Sequence, residues 1–140
     1  MRDITHLIVH CADTYARMDV DAEWIRRIHV DENGWSDNGY HFVIKRDGTL
    51  ETGRPIDKAG AHAKGMNSKS IAVCLIGGRS DDDGPEDNFT EAQRETLAQL
   101  VIDTKELYEG VEVIGHYDVP DSGKTCPNFN VEEFMETVDW

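Results

Sequence analysis

Apolar residues along this chain fall into two kinds of pattern, and each predicts a different element. HLIVHC (6–11), SIAVCLIGG (70–78) and VEVIGH (111–116) are short apolar runs of strand length. The second is nearly continuous and closes on two glycines, which predicts a central strand covered on both faces. YHFVIKRDGTLE (40–51) sets β-rich segments on either side of Asp47-Gly48 and predicts a hairpin with a two-residue turn. Helical spacing appears twice. Trp24, Ile25 and Ile28 recur between Asp21 and about Asp31, with Asn33-Gly34 as the stop. Thr90 with Gln93 makes a capping-box pattern that opens a helix running to about Tyr108. Its predicted buried stripe is Leu97, Leu100, Val101, Thr104, Leu107 and Tyr108. Asn130 with Glu133 caps a last short helix. The order β–α–β–β–β–α–β–α predicts an α/β fold, a central mixed sheet flanked by helices, with the strand ends as the place for a site. No repeat or linker divides the 140 residues, so one domain over 1–140 is expected, with no separate wall-binding domain.

Charge narrows the partners. Fourteen basic against 28 acidic residues give a net charge of −14, which disfavours nucleic acid and anionic membranes. The acids are dispersed except in SDDDGPEDN (80–88), which reads as a solvated loop, with a calcium loop as the alternative. No apolar run reaches the ~20 residues that span a bilayer. The start, MRDITHLIVHC, is too short in apolar residues for a signal peptide, so synthesis in the cytoplasm without a leader is expected. Three cysteines argue against a disulfide framework. Cys11 and Cys74 lie in apolar runs and read as small hydrophobes, whereas Cys126 lies in a polar loop.

That loop, IGHYDVPDSGKTCPNF (114–129), has the composition of a connection and still carries His116, Lys124 and Cys126. His10 comes near the end of the first predicted strand, His116 just after the last. Two imidazoles and a thiolate make a three-ligand set with a fourth position free, the arrangement of a catalytic zinc rather than a structural one. Cys11 is set aside because successive strand residues face opposite ways. Lys124 can supply a cation for a developing oxyanion, and Tyr40, at the start of the hairpin, a phenol for proton transfer. A Cys–His nucleophile pair, Cys126 with His116 or His10, is the rival chemistry on the same residues. No G-x-S-x-G elbow, phosphate-binding glycine loop, H-E-x-x-H or C-x-x-C is present.

Taken in order, IVHCADT, WSDNGYHFVIKRDGTLETGRP, GAHAKGMNSKSIAVCLIGG, NFTEAQRETL and GHYDV…GKTCPNF resemble the type 2 N-acetylmuramoyl-L-alanine amidases over residues 6 to 134. The branch of the T7-like phage lysozymes, related to the peptidoglycan recognition proteins, is most similar in its GYHF, HAKG and K-x-C-P details. The resemblance implies one zinc ion per chain, held by His10, His116 and Cys126, the third ligand being Asp in some relatives. It implies Tyr40 and Lys124 as catalytic residues, and His62 and Asn67 as residues lining the substrate groove. His41 is expected to be structural support, and His6 and His29 ordinary surface or half-buried residues. The implied reaction is hydrolysis of the amide between the lactyl group of N-acetylmuramic acid and L-alanine of the stem peptide. A phage-type lysis enzyme, acting as a monomer on peptidoglycan after holin-type release, is the expected setting. A cytosolic amidase recycling muropeptides and a non-catalytic peptidoglycan-binding module are the alternatives.

Overall fold

The computed structural model describes residues 2–120 and 122–138; Met1, Asp139 and Trp140 at the ends of the expected domain, and Asp121 of the 114–129 loop, lie outside the described residues. Its centre is the strand Ser70–Leu75 (β5), every residue of which is buried. Parallel to it on one side runs His6–Cys11 (β1), and on the other Phe42–Ile44 (β3). Glu112–Gly115 (β7) extends the sheet beyond β1 in the same direction, and Leu50–Thr52 (β4) closes the far edge antiparallel to β3. The order is β4-β3-β5-β1-β7, a mixed sheet as the pattern predicts. Gly77 and Gly78, both at positive φ, turn the chain out of β5, and Gly78–Arg79 (β6) then pairs with Thr14–Tyr15 (β2) in a small second sheet.

The two faces of the sheet are covered differently. Leu7, Val9, Ile71, Val73 and Leu75 pack against the helices Glu91–Leu107 (α2) and Val131–Thr137 (α3). On the opposite face Val43 and Cys74 meet Ala22 and Ile25 of the short helix Ala22–Arg27 (α1). These are the three α-helices among the described residues. His10, which alternates with Val9 and Cys11, lies on the α1 side opposite Cys74 in the register.

Three expectations need correction. The first helix ends at Arg27 and continues as a widened turn over Ile28–Glu32, where Asn33 N–H reaches back five residues to the Ile28 carbonyl. His29 in that turn accepts the Gly39 N–H at Nδ1 (2.8 Å), a contact that helical periodicity does not foresee. The hairpin turn has three residues, not two: Lys45 pairs with Thr49 and Gly48, at φ 90°, takes the left-handed position. Leu107 is 74% exposed. The helix stops there, and Tyr108 leaves it with extended backbone to pack on the core in its place.

The capping box at Thr90 is formed, and Gln93 does more than cap. Fully buried, its amide nitrogen donates to the Ile44 and Ile76 carbonyls (3.1 and 2.8 Å) while its oxygen accepts from Thr90 N and Arg46 Nη1. It thus ties α2 to the ends of β3 and β5. Gln93→Leu should lower stability by about 3 kcal/mol, since several buried groups lose partners at about 1 kcal/mol each. Denaturant titration would read it.

Candidate metal centre

The parallel register of β1 with β7 pairs Val9 with Gly115, so one step further sets His116 opposite His10. Their rings lie 4.4 Å apart between centroids. Gly115 permits the sharp turn that follows. A Cβ there would stand 2.2 Å from the Tyr117 ring and 3.0 Å from Pro127. Tyr117 N–H donates to the Cys126 carbonyl (3.0 Å), and its phenol oxygen accepts the Val131 N–H (3.0 Å) at the start of α3. Cys126 is thereby brought back to β1. Asn128, at φ 70°, fastens the far side by donating to the Gly78 carbonyl (2.7 Å).

The result is one cluster. The donor atoms of His10, His116 and Cys126 all lie within 4.8 Å of one another. Tyr40 joins from the chain just before β3, its ring 5.0 Å from that of His10. A cleft of about 420 Å³ opens over these residues and includes Lys124 in its lining. A second, of about 530 Å³, shares His116 and Lys124 and runs on past His62, Val119 and Pro120. Together they form a groove with His116 and Lys124 at its middle.

The electrostatics keep the donors ready for a cation. Burial, then the neighbouring His62 and His116, holds His10 well below the ordinary imidazole range. His116 is lowered by burial and by the Lys124 cation, and His62 falls to about 3, chiefly through burial. All three rings are therefore neutral near pH 7, with lone pairs to offer. Cys126 hydrogen-bonds with the Cys11 thiol; that bond, then burial, pushes the Cys126 thiol up. Its sulfur also accepts the Cys11 N–H (2.8 Å), which favours a thiolate at that atom once a cation shares the site. Burial, followed by the nearby cysteine sulfurs, raises Tyr40 well above the usual phenol value, so it keeps its proton and is able to donate a hydrogen bond. Two neutral imidazoles and one thiol converging beside an open groove fit zinc with a fourth position free.

The remaining sequence candidates fall as follows. His62 contacts His10 directly, Nδ1 to Nε2 at 2.9 Å, and also lines the groove. Asn67 does not line the described clefts; its Oδ1 accepts the N–H groups of His62 and Ala63 (2.9 and 3.0 Å) and so holds the His62 loop. His41 is buried structural support: Nδ1 accepts the Ala72 N–H (3.0 Å) and Nε2 lies 2.8 Å from the Lys58 carbonyl oxygen. His6 and His29 are half-buried, as expected. Sequence reasoning missed Cys11, whose backbone serves Cys126, and Asn128; neither carries a local signal beyond the Asn that follows Cys-Pro. It also missed what the acidic segment does. Its acids are exposed, but Ser80 to Gly84 closes through Ser80 N–H to Gly84 O (2.8 Å) and Asp83 N–H to Ser80 O (3.0 Å). Asp83, Gly84 and Pro85 line the same cleft as Lys124.

Comparison with known proteins places the fold in a family. The family model for N-acetylmuramoyl-L-alanine amidases matches residues 1–129. The endolysin of Klebsiella phage KP32 is 44% identical over 135 residues, covering 96% of this chain and 87% of that one. The endolysin of Escherichia phage T7 is 43% identical over 130 residues, 93% of this chain and 84% of that one. Among solved structures, the N-acetylmuramoyl-L-alanine amidase LysC from Clostridium intestinale superposes with a TM-score of 0.80 at 28% identity, over 96% of this chain and 85% of that one. The chain belongs to the N-acetylmuramoyl-L-alanine amidase family, the class that its mixed sheet and groove define. Within the family it is a type 2 amidase of the T7 lysozyme branch, alongside the phage endolysins.

Proposed function

We propose that this amidase is a phage-type lysis enzyme that cuts the lactyl–L-alanine amide of peptidoglycan with one zinc ion held by His10, His116 and Cys126. The observation that carries the reading is the convergence of those three donor atoms, within 4.8 Å, on the floor of an open groove. When bound there, zinc supplies Lewis acidity, making water nucleophilic near neutral pH and polarising an amide carbonyl. The chain supplies the rest. Lys124, exposed at the middle of the groove, offers its ammonium to the oxygen on which negative charge develops. The Tyr40 phenol, kept protonated by burial, donates a hydrogen bond and relays a proton toward the leaving amine. The two clefts that share His116 and Lys124 offer room for the sugar and the peptide of the substrate. Two acidic residues for every basic one give no long-range pull toward anionic envelopes. That suits an enzyme delivered to the wall from inside the infected cell by holin-type release, working there as a monomer.

Digestion of purified peptidoglycan followed by mass analysis tests this reading. Free stem peptides beginning with L-alanine should appear beside uncut glycan, and phenanthroline should stop their release until zinc is restored. Peptides still bearing sugar would mean a glycosidase. Binding of wall fragments without cleavage would favour a recognition module, the alternative that the retained Tyr40 and Lys124 argue against.

A further inference from the structure

His62 stands outside the three donors and touches one of them. Its Nδ1 lies 2.9 Å from His10 Nε2, and its Nε2 lies 3.1 Å from Ser70 Oγ. The Ser70 hydroxyl lies 2.7 Å from the Met66 carbonyl oxygen, an atom that can only accept. The single hydroxyl proton therefore points to Met66, and Ser70 Oγ accepts from His62 Nε2–H. His62 Nδ1 is then the acceptor, and the proton between the two rings belongs to His10 Nε2. The chain of bonds leaves His10 with its lone pair on Nδ1.

We infer that His62 is a positioning residue: backed by Ser70 and the Met66 carbonyl, it fixes the tautomer and ring orientation of His10 and thereby sets zinc affinity. The inference rests on the reading of His10, His116 and Cys126 as the zinc ligands. A free neutral imidazole divides its proton between both nitrogens, so an unfixed His10 would present the wrong nitrogen part of the time and rotate about its side-chain bonds. Outer partners of this kind are worth about 10- to 100-fold in metal affinity. The surroundings are built for it. A Cβ on Gly60 would lie 2.6 Å from the His62 ring, and Asn67 Oδ1 holds the backbone N–H groups of His62 and Ala63. Ser70 is fully buried. Both ring nitrogens of His62 are engaged, so none is left to hydrogen-bond a substrate in the groove that the ring borders. A neutral imidazole in this role would also add no negative charge beside the thiolate of a metal-loaded site, leaving a bound cation's pull on a carbonyl undiminished.

Two measurements on the full chain decide the matter. One is zinc affinity, by competition with a chromophoric chelator; the other is the His10 tautomer in metal-free protein, by long-range nitrogen–proton NMR. Wild type should bind one zinc and show His10 as Nε2–H. His62→Leu should weaken zinc by about 10- to 100-fold and lose the single tautomer. His62→Gln, whose amide can accept from His10 and donate to Ser70, should recover most of both. Equal zinc affinity in wild type and His62→Leu, with His10 still wholly Nε2–H in the variant, overturns the inference. Should His62→Leu fail to fold, the wild-type spectrum still decides, because a mixed or Nδ1–H His10 contradicts the bond chain. A wild type that takes up no zinc defeats the zinc reading instead, and the tautomer then reports on the bond chain alone.

Discussion

Cys126→Ser is expected to cut zinc affinity by about a thousandfold or more and to reduce amidase activity to background. That loss exceeds the about 10- to 100-fold cost of losing an outer hydrogen-bond partner, because the thiolate proposed to bind the metal directly would be removed. The hydroxyl of serine is a poor anion near neutral pH, so two neutral imidazoles would be left to hold a dication. Folding should survive. Cys126 is only partly buried, the loop is also held through backbone and through Tyr117 and Asn128, and a serine oxygen can still accept the Cys11 N–H that the sulfur accepts. Cys126→Asp should retain a weaker zinc site and part of the activity, since a carboxylate can replace the thiolate as an anionic ligand. Cys11→Ala should keep zinc within a few-fold, because the N–H that serves Cys126 belongs to the backbone. Metal content measured with turnover across the three variants separates the two chemistries open on these residues. A Cys126 nucleophile would be equally dead as Ser or Asp and indifferent to chelators; activity in Cys126→Asp that depends on zinc excludes it.

The sheet was legible because its central strand has no polar interruption that matters: SIAVCL is buried residue for residue, and its parallel neighbours read as the same kind of run. The capping box could be read at Thr90 because such caps are local chemistry. The errors arise where tertiary contacts override local pattern. Leu107 fits the helical stripe and is exposed because the helix ends and Tyr108 takes the core position. His29 breaks the first helix's pattern by accepting the Gly39 N–H across a widened turn. The site divides in the same way. His10 and His116 follow from strand ends, but Cys126 reaches them only because Gly115 leaves room for Tyr117 and Pro127, a three-dimensional fact with no sequence period. For those residues the five-block resemblance supplied what spacing could not. It did not supply the roles of Ser70, Asn67 and the wall at Asp83, which depend on which hydrogen bonds form.

Lys124→Ala should lower kcat by about a hundred- to a thousandfold, the cost of removing one donor to a developing oxyanion, with KM little changed. The residue is exposed, and its ammonium is close enough to His116 to depress that imidazole. Two roles are compatible with this placement, and they predict effects of different size on zinc. If Lys124 acted mainly by tuning the field around a thiolate-bound metal, its removal would change zinc affinity as much as turnover. If it acts on the reacting carbonyl, the metal should bind as before or slightly tighter, since a cation that repels another has been removed, while turnover collapses. Position supports the second. Lys124 lines both halves of the groove, facing the space where substrate must lie. Asp83, which is paired with Arg79, lines the same cleft. Lys124→Arg keeps the cation on a longer, forked head and should restore part of kcat without restoring the wild-type value, because an ammonium and a guanidinium place their donors differently. Near-normal turnover in Lys124→Ala with zinc fully bound would remove Lys124 from the chemistry and leave carbonyl polarisation to the metal and Tyr40.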